Sequence, residues 1–183
     1  MTHPIRDAVA ARRSFAKVTA DTPSHEELLP LVTAAARVAD HGALRPWRLI
    51  ELRGAARERL GAALVEASGQ ALGADPKMAA KPLRAELLIA VVASRRPSHK
   101  VDIWEQDATA AGVAHALSLL LAEAGWGVMW RTGPRTRAAS VRTLHGLTDN
   151  EELLGWLYVG GVPSDAKPTT RTAIDPTAYL SSI

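Results

Sequence analysis

Residues 104–125 read WEQDATAAGVAHALSLLLAEAG, a run without proline whose alanines and leucines favour a helix. Apolar side chains occupy most of its circumference, where an ordinary surface helix keeps them to one stripe. Such a helix must be buried nearly all round, either in the core of its own chain or against another subunit.

The segments on either side supply what it can pack against. LLIAVVAS (87–94) is a short continuous apolar run rich in branched side chains, which predicts a strand covered on both faces. Downstream, GVMWRTG (127–133) predicts a strand leading into a loop, TRAASVRTLHGL (136–147) a helix, and LLGWLYVGG (153–161) a last core strand. Upstream, WRLIELR (47–53) reads as a strand behind Pro46, since proline disfavours helix at the residue before it. Residues 54–70 read as a helix, and ALGADPKMAAKPLRA (71–85), with its glycine and two prolines, as an irregular excursion.

Ser24 and Glu27 form a capping-box pattern that starts a helix with Leu28, Leu31, Val32 and Ala35 on its apolar face. Ile5 and Val9 mark a shorter amphipathic helix that ends at Arg12 and Arg13. Helices and about four strands that do not alternate one to one give an α+β fold. The tail SDAKPTTRTAIDPTAYLSSI (164–183) is polar but keeps Ile174, Tyr179 and Leu180, which suits either an arm laid across a partner or a loosely packed terminus.

A chain of 183 residues with 47% hydrophobic content is long enough for one sizeable core, so a single domain over 1–183 is expected. The 22 basic residues nearly balance 19 acidic ones and form no dense tract, which argues against nucleic acid as a partner. The absence of cysteine excludes disulfides and thiolate sites. MTHPIRDAVAARRS lacks the apolar core of a signal peptide, and the most apolar stretch, near 110–125, carries His115 and Glu123, so a cytoplasmic protein without membrane contact is expected.

Gly125-Trp126-Gly127 follows a helix and enters a strand, the reverse of the order that places a pyrophosphate on a helix N-terminus. The six histidines show no close metal-ligand spacing, and no metal site is expected. Glu26/Glu27 and Glu151/Glu152 are adjacent and would point to different sides of a helix, which reads as solvated faces. Few side chains look able to perform chemistry themselves. Tryptophans recur at loop and strand ends with basic residues beside them, as expected where a bound organic cofactor carries the reaction. Arg12, Arg13 and Ser14 suit either a cationic cap on a helix end or a phosphate cradle.

Five stretches, ARRSFA (11–16), ADHGALRPWRL (39–49), HKVDIWEQDATAAG (99–112), GWGVMWRTG (125–133) and LYVGGVPSDAKPTT (157–170), occur in an order and spacing that resembles the FMN-dependent nitroreductase family. Within it the chain is most similar to the short YdjA-like NAD(P)H nitroreductases, from about Ile5 to Asp175-Pro176-Thr177. The resemblance implies a central, mostly antiparallel sheet flanked by helices in an intertwined homodimer, with FMN at the interface and residues 164–183 as an arm on the partner. It implies that Arg12, Arg13 and Ser14 contact the flavin phosphate and ribityl chain, and that Arg37 and His41 are flavin-contacting positions. Trp130, Arg131 and Thr132 match the Trp-Arg-Ser that approaches the flavin. Lys167 resembles the basic residue closing on the phosphate, with Arg171 a weaker candidate, and residues 120–125 fall where the subgroup contacts NAD(P).

Two departures stand out. Arg45 occupies the place of the usual amide before Pro-Trp, so a donor-only cation replaces a group that both donates and accepts. The chain also lacks the insertions that cover the site in larger relatives, which implies a shallow pocket. The implied activity is hydride passage from NAD(P)H through FMN to nitroaromatic or quinone-like acceptors by a ping-pong mechanism, with no catalytic side chain. The alternatives are another flavin reaction on the same fold, such as dehalogenation, dehydrogenation or flavin fragmentation, and a non-catalytic FMN-binding protein.

Overall fold

Eight consecutive buried residues, Leu87–Ser94, form the strand on which the fold is built. The computed structural model describes residues 3–71, 73–167 and 172–183. In chain order the elements are α1 (Pro4–Ala11), α2 (His25–Ala35), β1 (Trp47–Leu52), α3 (Ala55–Glu66), α4 (Pro76–Ala79), β2 (Leu87–Ser94), α5 (Ile103–Glu123), β3 (Trp126–Arg131), α6 (Ala139–Leu144) and β4 (Glu151–Gly161). The strands form one sheet in the order β1-β2-β4-β3, and each neighbouring pair is antiparallel.

Side chains alternate across a strand, so β2 feeds two cores at once. Leu87, Ile89 and Val91 join Leu28 of α2, Val113, Leu117 and Leu121 of α5, and Val128, Leu157 and Val159. Leu88, Ala90 and Val92 join Leu60, Leu64 and Val65 of α3, Val141 of α6, and Leu153, Trp156 and Tyr158. Two-sided cover, more often met in parallel sheets, here encloses an antiparallel one and accounts for the unbroken apolar run.

Helix starts follow the sequence. The Ser24 hydroxyl accepts the Glu27 N–H at 3.2 Å while the Glu27 carboxylate accepts the Ser24 N–H at 2.7 Å, the two halves of a capping box. The buried Gln106 amide bonds both the N–H (2.7 Å) and the carbonyl (3.0 Å) of Arg96, which fixes the loop into α5. Within 71–85, read as irregular, the chain makes the single-turn α4 and a 3₁₀ turn at Lys81–Arg84, each begun by a proline at its N-terminus. The short helix α1 forms where expected, but none of its residues is buried, and Ile5 and Val9 are exposed.

Glu151 and Glu152 depart most from expectation. They open a strand instead of lying on a helix, and alternation turns Glu151 inward, where it is buried. Arg48 grips its carboxylate through Nε (2.7 Å) and Nη2 (2.8 Å), and this charge-assisted fork holds the Glu151 pKa at about 2. Beside it, the Trp156 indole N–H donates to His145 Nε2 at 3.0 Å, which puts the imidazole proton on Nδ1, facing the Val141 carbonyl at 2.8 Å. Burial lowers the His145 pKa and keeps the ring neutral.

A carboxyl whose folded pKa is depressed stabilises the protein above its unfolded value and ceases to do so as pH falls toward the folded one. Between about pH 4.5 and 2 the protein should therefore lose up to about 3 kcal/mol through Glu151. Urea denaturation of the native protein and Glu151→Gln should show a gap at neutral pH that closes over this window; a gap independent of pH would refute the assignment.

Candidate functional site

Beyond α1 the chain runs from Arg12 along β3 to the end of β4. The Phe15 N–H donates to the Val128 carbonyl (3.0 Å) and the Thr19 N–H to the Gly161 carbonyl (2.8 Å). The approach needs glycine at 160, because a Cβ there would lie 2.5 Å from the Thr19 carbonyl oxygen. The Arg13 guanidinium donates to the Lys167 carbonyl at 2.7 Å and sits 4.4 Å above the Phe15 ring. Arg13, Ser14, Lys17 and Lys167 thereby line one open cavity of about 420 Å³, which also holds Asp165. Arg12 lines a neighbouring cleft of about 270 Å³ with Ala122, Glu123 and Gly125 at the C-terminal end of α5.

A second group of predicted residues lies at the opposite end of α5. His41 Nδ1 lies 2.9 Å from Glu105 Oε2 in the first turn of that helix, and this hydrogen bond, with the Asp102 N–H, lowers the Glu105 pKa. Arg37 is exposed just beyond α2. Arg45 is exposed in a loop held by the Asp40 carboxylate, which accepts the N–H groups of Leu44 (3.1 Å) and Arg45 (2.8 Å). Those bonds support Ala43 and Arg45 in the left-handed region, at φ of 51° and 48°, a strained backbone for residues with a Cβ. The 21 residues of α5 span about 30 Å, so one chain keeps the Arg12–Ser14 group apart from the Arg37, His41 and Arg45 group.

Between the two ends, one side of α5 is only sparsely covered within the described residues, with α1 near Ala122 and Trp130 near His115. Trp104, Ala108 and His115 are exposed there, with Ala111, Leu119 and Ala122 half-buried, at spacings of three and four residues. The Trp130 ring meets His115 edge to face, with centroids 5.1 Å apart, and its buried Nε1 has no hydrogen-bond partner among the described residues. Strand alternation sends the neighbouring Arg131 through to the other face of the sheet, where its guanidinium lies 5.0 Å from the Tyr158 ring centroid. Arg131 and Thr132 open onto a cavity of about 380 Å³ on that face.

With this geometry in place, the pattern of the Nitroreductase family matches residues 9–161. The chain belongs to the nitroreductase family. A protein named "Putative NAD(P)H nitroreductase YdjA" from Escherichia coli strain K12 is 33% identical over 174 residues, covering 93% of this chain and 94% of that one. A nitroreductase-like family protein from Bacillus cereus superposes with a TM-score of 0.82 at 21% identity, over 100% of this chain and 97% of that one. The FMN- and NADPH-dependent nitroreductase NfnB of Sphigopyxis sp. strain HMH, solved as a point mutant, gives 0.72 at 19% identity, over 96% and 97%. Membership places the protein among oxidoreductases and the α+β architecture among nitroreductase folds.

Within this nitroreductase frame, the predicted residues fall into two sets at opposite ends of one helix, with Trp130 between them. Arg171 lies outside the described residues. The sequence reading missed Glu105, His115 and the cations Lys81, Arg84 and Arg135 that share the cavity of Arg131. Only Glu105 carried a signal, as the third residue after Asp102 at a helix start. The lysine and arginines come from a proline-rich excursion and a loop whose spacing marks no site.

Gly155 fixes where Trp130 can sit. It has a φ of +142°, and a Cβ on it would lie 2.4 Å from the Arg131 carbonyl oxygen and 2.8 Å from Trp130 Nε1. Gly155→Ala should lower stability by about 3 kcal/mol or more, measured as the urea midpoint, because strained backbone and overpacking add; a loss below about 1 kcal/mol would show that β4 relaxes around the methyl group.

Proposed function

We propose that the chain is an FMN-dependent NAD(P)H oxidoreductase that works as a homodimer with each flavin site shared between subunits. The observation that carries this reading is the sparsely covered apolar side of α5, with Arg12, Arg13, Ser14 and Lys167 toward one end and Arg37, His41 and Arg45 toward the other. Two copies related by a twofold axis with their α5 helices antiparallel would cover that side. The same arrangement would bring Arg12, Arg13 and Ser14 of one copy to Arg37, His41 and Arg45 of the other. Ile174, Tyr179 and Leu180, exposed in the single chain, fit a tail that reaches over the partner.

The donors present fit the cofactor. Arg12, Arg13, Ser14 and Lys167 would hold its phosphate, a guanidinium fork suiting phosphate oxygens better than a point charge does. Trp130 offers a flat apolar wall and a buried N–H in search of an acceptor. FMN, when bound, supplies hydride transfer between NAD(P)H and a nitroaromatic or quinone-like acceptor. The protein neutralises the phosphate, excludes water at Trp130 and places charge through Arg45, and no side chain is assigned as acid or base. Donor and acceptor would use one slot in turn, giving ping-pong kinetics. The names of YdjA and NfnB, which specify NAD(P)H and FMN with NADPH respectively, support the same reading.

The purified protein should be yellow, elute at twice the mass of one chain, and lose its flavin bands when NADPH is added without oxygen. A colourless protein that FMN cannot reconstitute would overturn the proposal. Arg13→Ala should release the flavin while leaving the chain folded, since the bond it loses is a single one to an exposed segment. Arg45→Gln should make the flavin midpoint potential more negative by removing a charge that favours the anionic reduced form; an unchanged potential would place Arg45 away from the ring.

A further inference from the structure

Helix α5 carries six side chains along its sparsely covered side, at steps of four, three, four, four and three residues: Trp104, Ala108, Ala111, His115, Leu119 and Ala122. The packing of the single chain does not account for their sizes. Trp104 is 69% exposed, a large apolar side chain on an open face. His115 is exposed as well, with the Trp130 ring set edge to face against it at 5.1 Å.

Paired inward from the two ends, each large member of the row matches a small one. Trp104 pairs with Ala122, Leu119 with Ala108 and His115 with Ala111. The midpoint of every pair falls within half a residue of Val113. A second copy of the helix, turned end for end about that point, therefore lays each large side chain over an alanine. Helices pack by setting ridges into grooves, and this match supplies both along about 27 Å of contact. A parallel pairing would set Trp104 on Trp104 and Ala122 on Ala122, crowding one end and leaving a void at the other.

The charges favour the same direction. Glu105, whose pKa is lowered by its bonds to His41 and the Asp102 N–H, stands at the start of α5, and Arg12 stands at its end beside Ala122 and Glu123. Pairing end for end turns Glu105 toward the partner's Arg12, and Glu123 toward the partner's Arg37 and the partner's His41. It also opposes the two helix dipoles.

We propose that two copies of this chain join through α5 in a single antiparallel register, with the twofold axis level with Val113 and Trp104 of each copy seated on the partner's Ala122. Leu119 then lies on the partner's Ala108 and His115 on the partner's Ala111. The assignment rests on the homodimer reading above and adds the register, which decides how the shared site is assembled. It brings the His41 and Glu105 pair level with the partner's Arg12, whereas a slip of one helical turn would part them by about 5 Å.

The chain contains no cysteine, so introduced pairs report the register directly. Loaded with FMN and oxidised, the double variants Trp104→Cys/Ala122→Cys and Ala108→Cys/Leu119→Cys should each run at twice the chain mass on a gel without reductant. Neither pair can close within one chain, because its cysteines lie about 27 Å and about 17 Å apart along the helix. Each single variant should stay at the mass of one chain, since the two copies of its cysteine lie about 15 Å or more apart across the axis. Ala108→Leu should weaken the dimer about tenfold or more, and adding Leu119→Ala should restore it. The crosslinked dimer should keep its flavin. A native chain that elutes at the mass of one copy would overturn the homodimer reading and this one with it. A dimer in which neither pair crosslinks, or in which Trp104→Cys alone does, would overturn the register and leave the homodimer standing. A crosslinked dimer that releases its flavin would also overturn it, because the register would then exclude the shared site. A colourless chain that still crosslinks in the expected pattern would lose the flavin reading and keep the register.

Discussion

A helix that is apolar on most of its girth cannot be satisfied by one sheet. Helix α5 buries Val113, Leu117 and Leu121 against β2, β3 and β4, and so spends one side of itself on the core. Its other side, from Trp104 to Ala122, is met among the described residues only by α1 near Ala122 and Trp130 at His115. The separation of Arg12–Ser14 from His41 and Arg45 depends on this arrangement, because the helix is also the ruler between them.

How far the sequence could be read follows from the range of each interaction. LLIAVVAS was legible as a doubly covered strand because eight apolar residues in a row leave no solvent face, and the Ser24 and Glu27 box because both halves lie within one turn. Glu151 was misread because adjacency was judged on a helix, whereas a strand turns one member of each pair inward, here toward an arginine 103 residues away. Arg13 was ambiguous for a similar reason: its partner carbonyl on Lys167 is 154 residues distant, and local pattern cannot show it. The motifs themselves were visible, but their spatial grouping was not. That Arg131 faces away from Trp130 follows from strand alternation once the strand is known.

Charge is managed differently in different parts of the molecule. Around β4 it is compensated: Arg48 with Glu151, and Arg137 and Arg142 with Glu152. The first of these fixes structure, because removing Arg48 would leave the buried Glu151 charge unanswered. Near Phe15 and near Thr132 cations gather with no ion pair among the described residues, Arg13 and Arg131 donating instead to the carbonyls of Lys167 and Ala16. A protein with nearly equal numbers of acids and bases can thus remain neutral on average and still hold local excesses of one sign.

The His145–Trp156 pair orders the way the molecule comes apart. Its neutral imidazole joins α6, through Val141, to the centre of β4. Because burial depresses the His145 pKa, a falling pH asks this ring to take a proton that the folded state resists. A charged ring has two donors, and Trp156 would then face a donor where it now has an acceptor. The other ties of α6 are the Ser140 hydroxyl on the Ala63 carbonyl, Arg142 on the carbonyls of Thr148 and Glu151 and beside the Glu152 carboxylate, and Val141 in the core against α3. As pH falls below the ordinary imidazole range, this ring therefore draws on folding stability at the joint between α6 and β4.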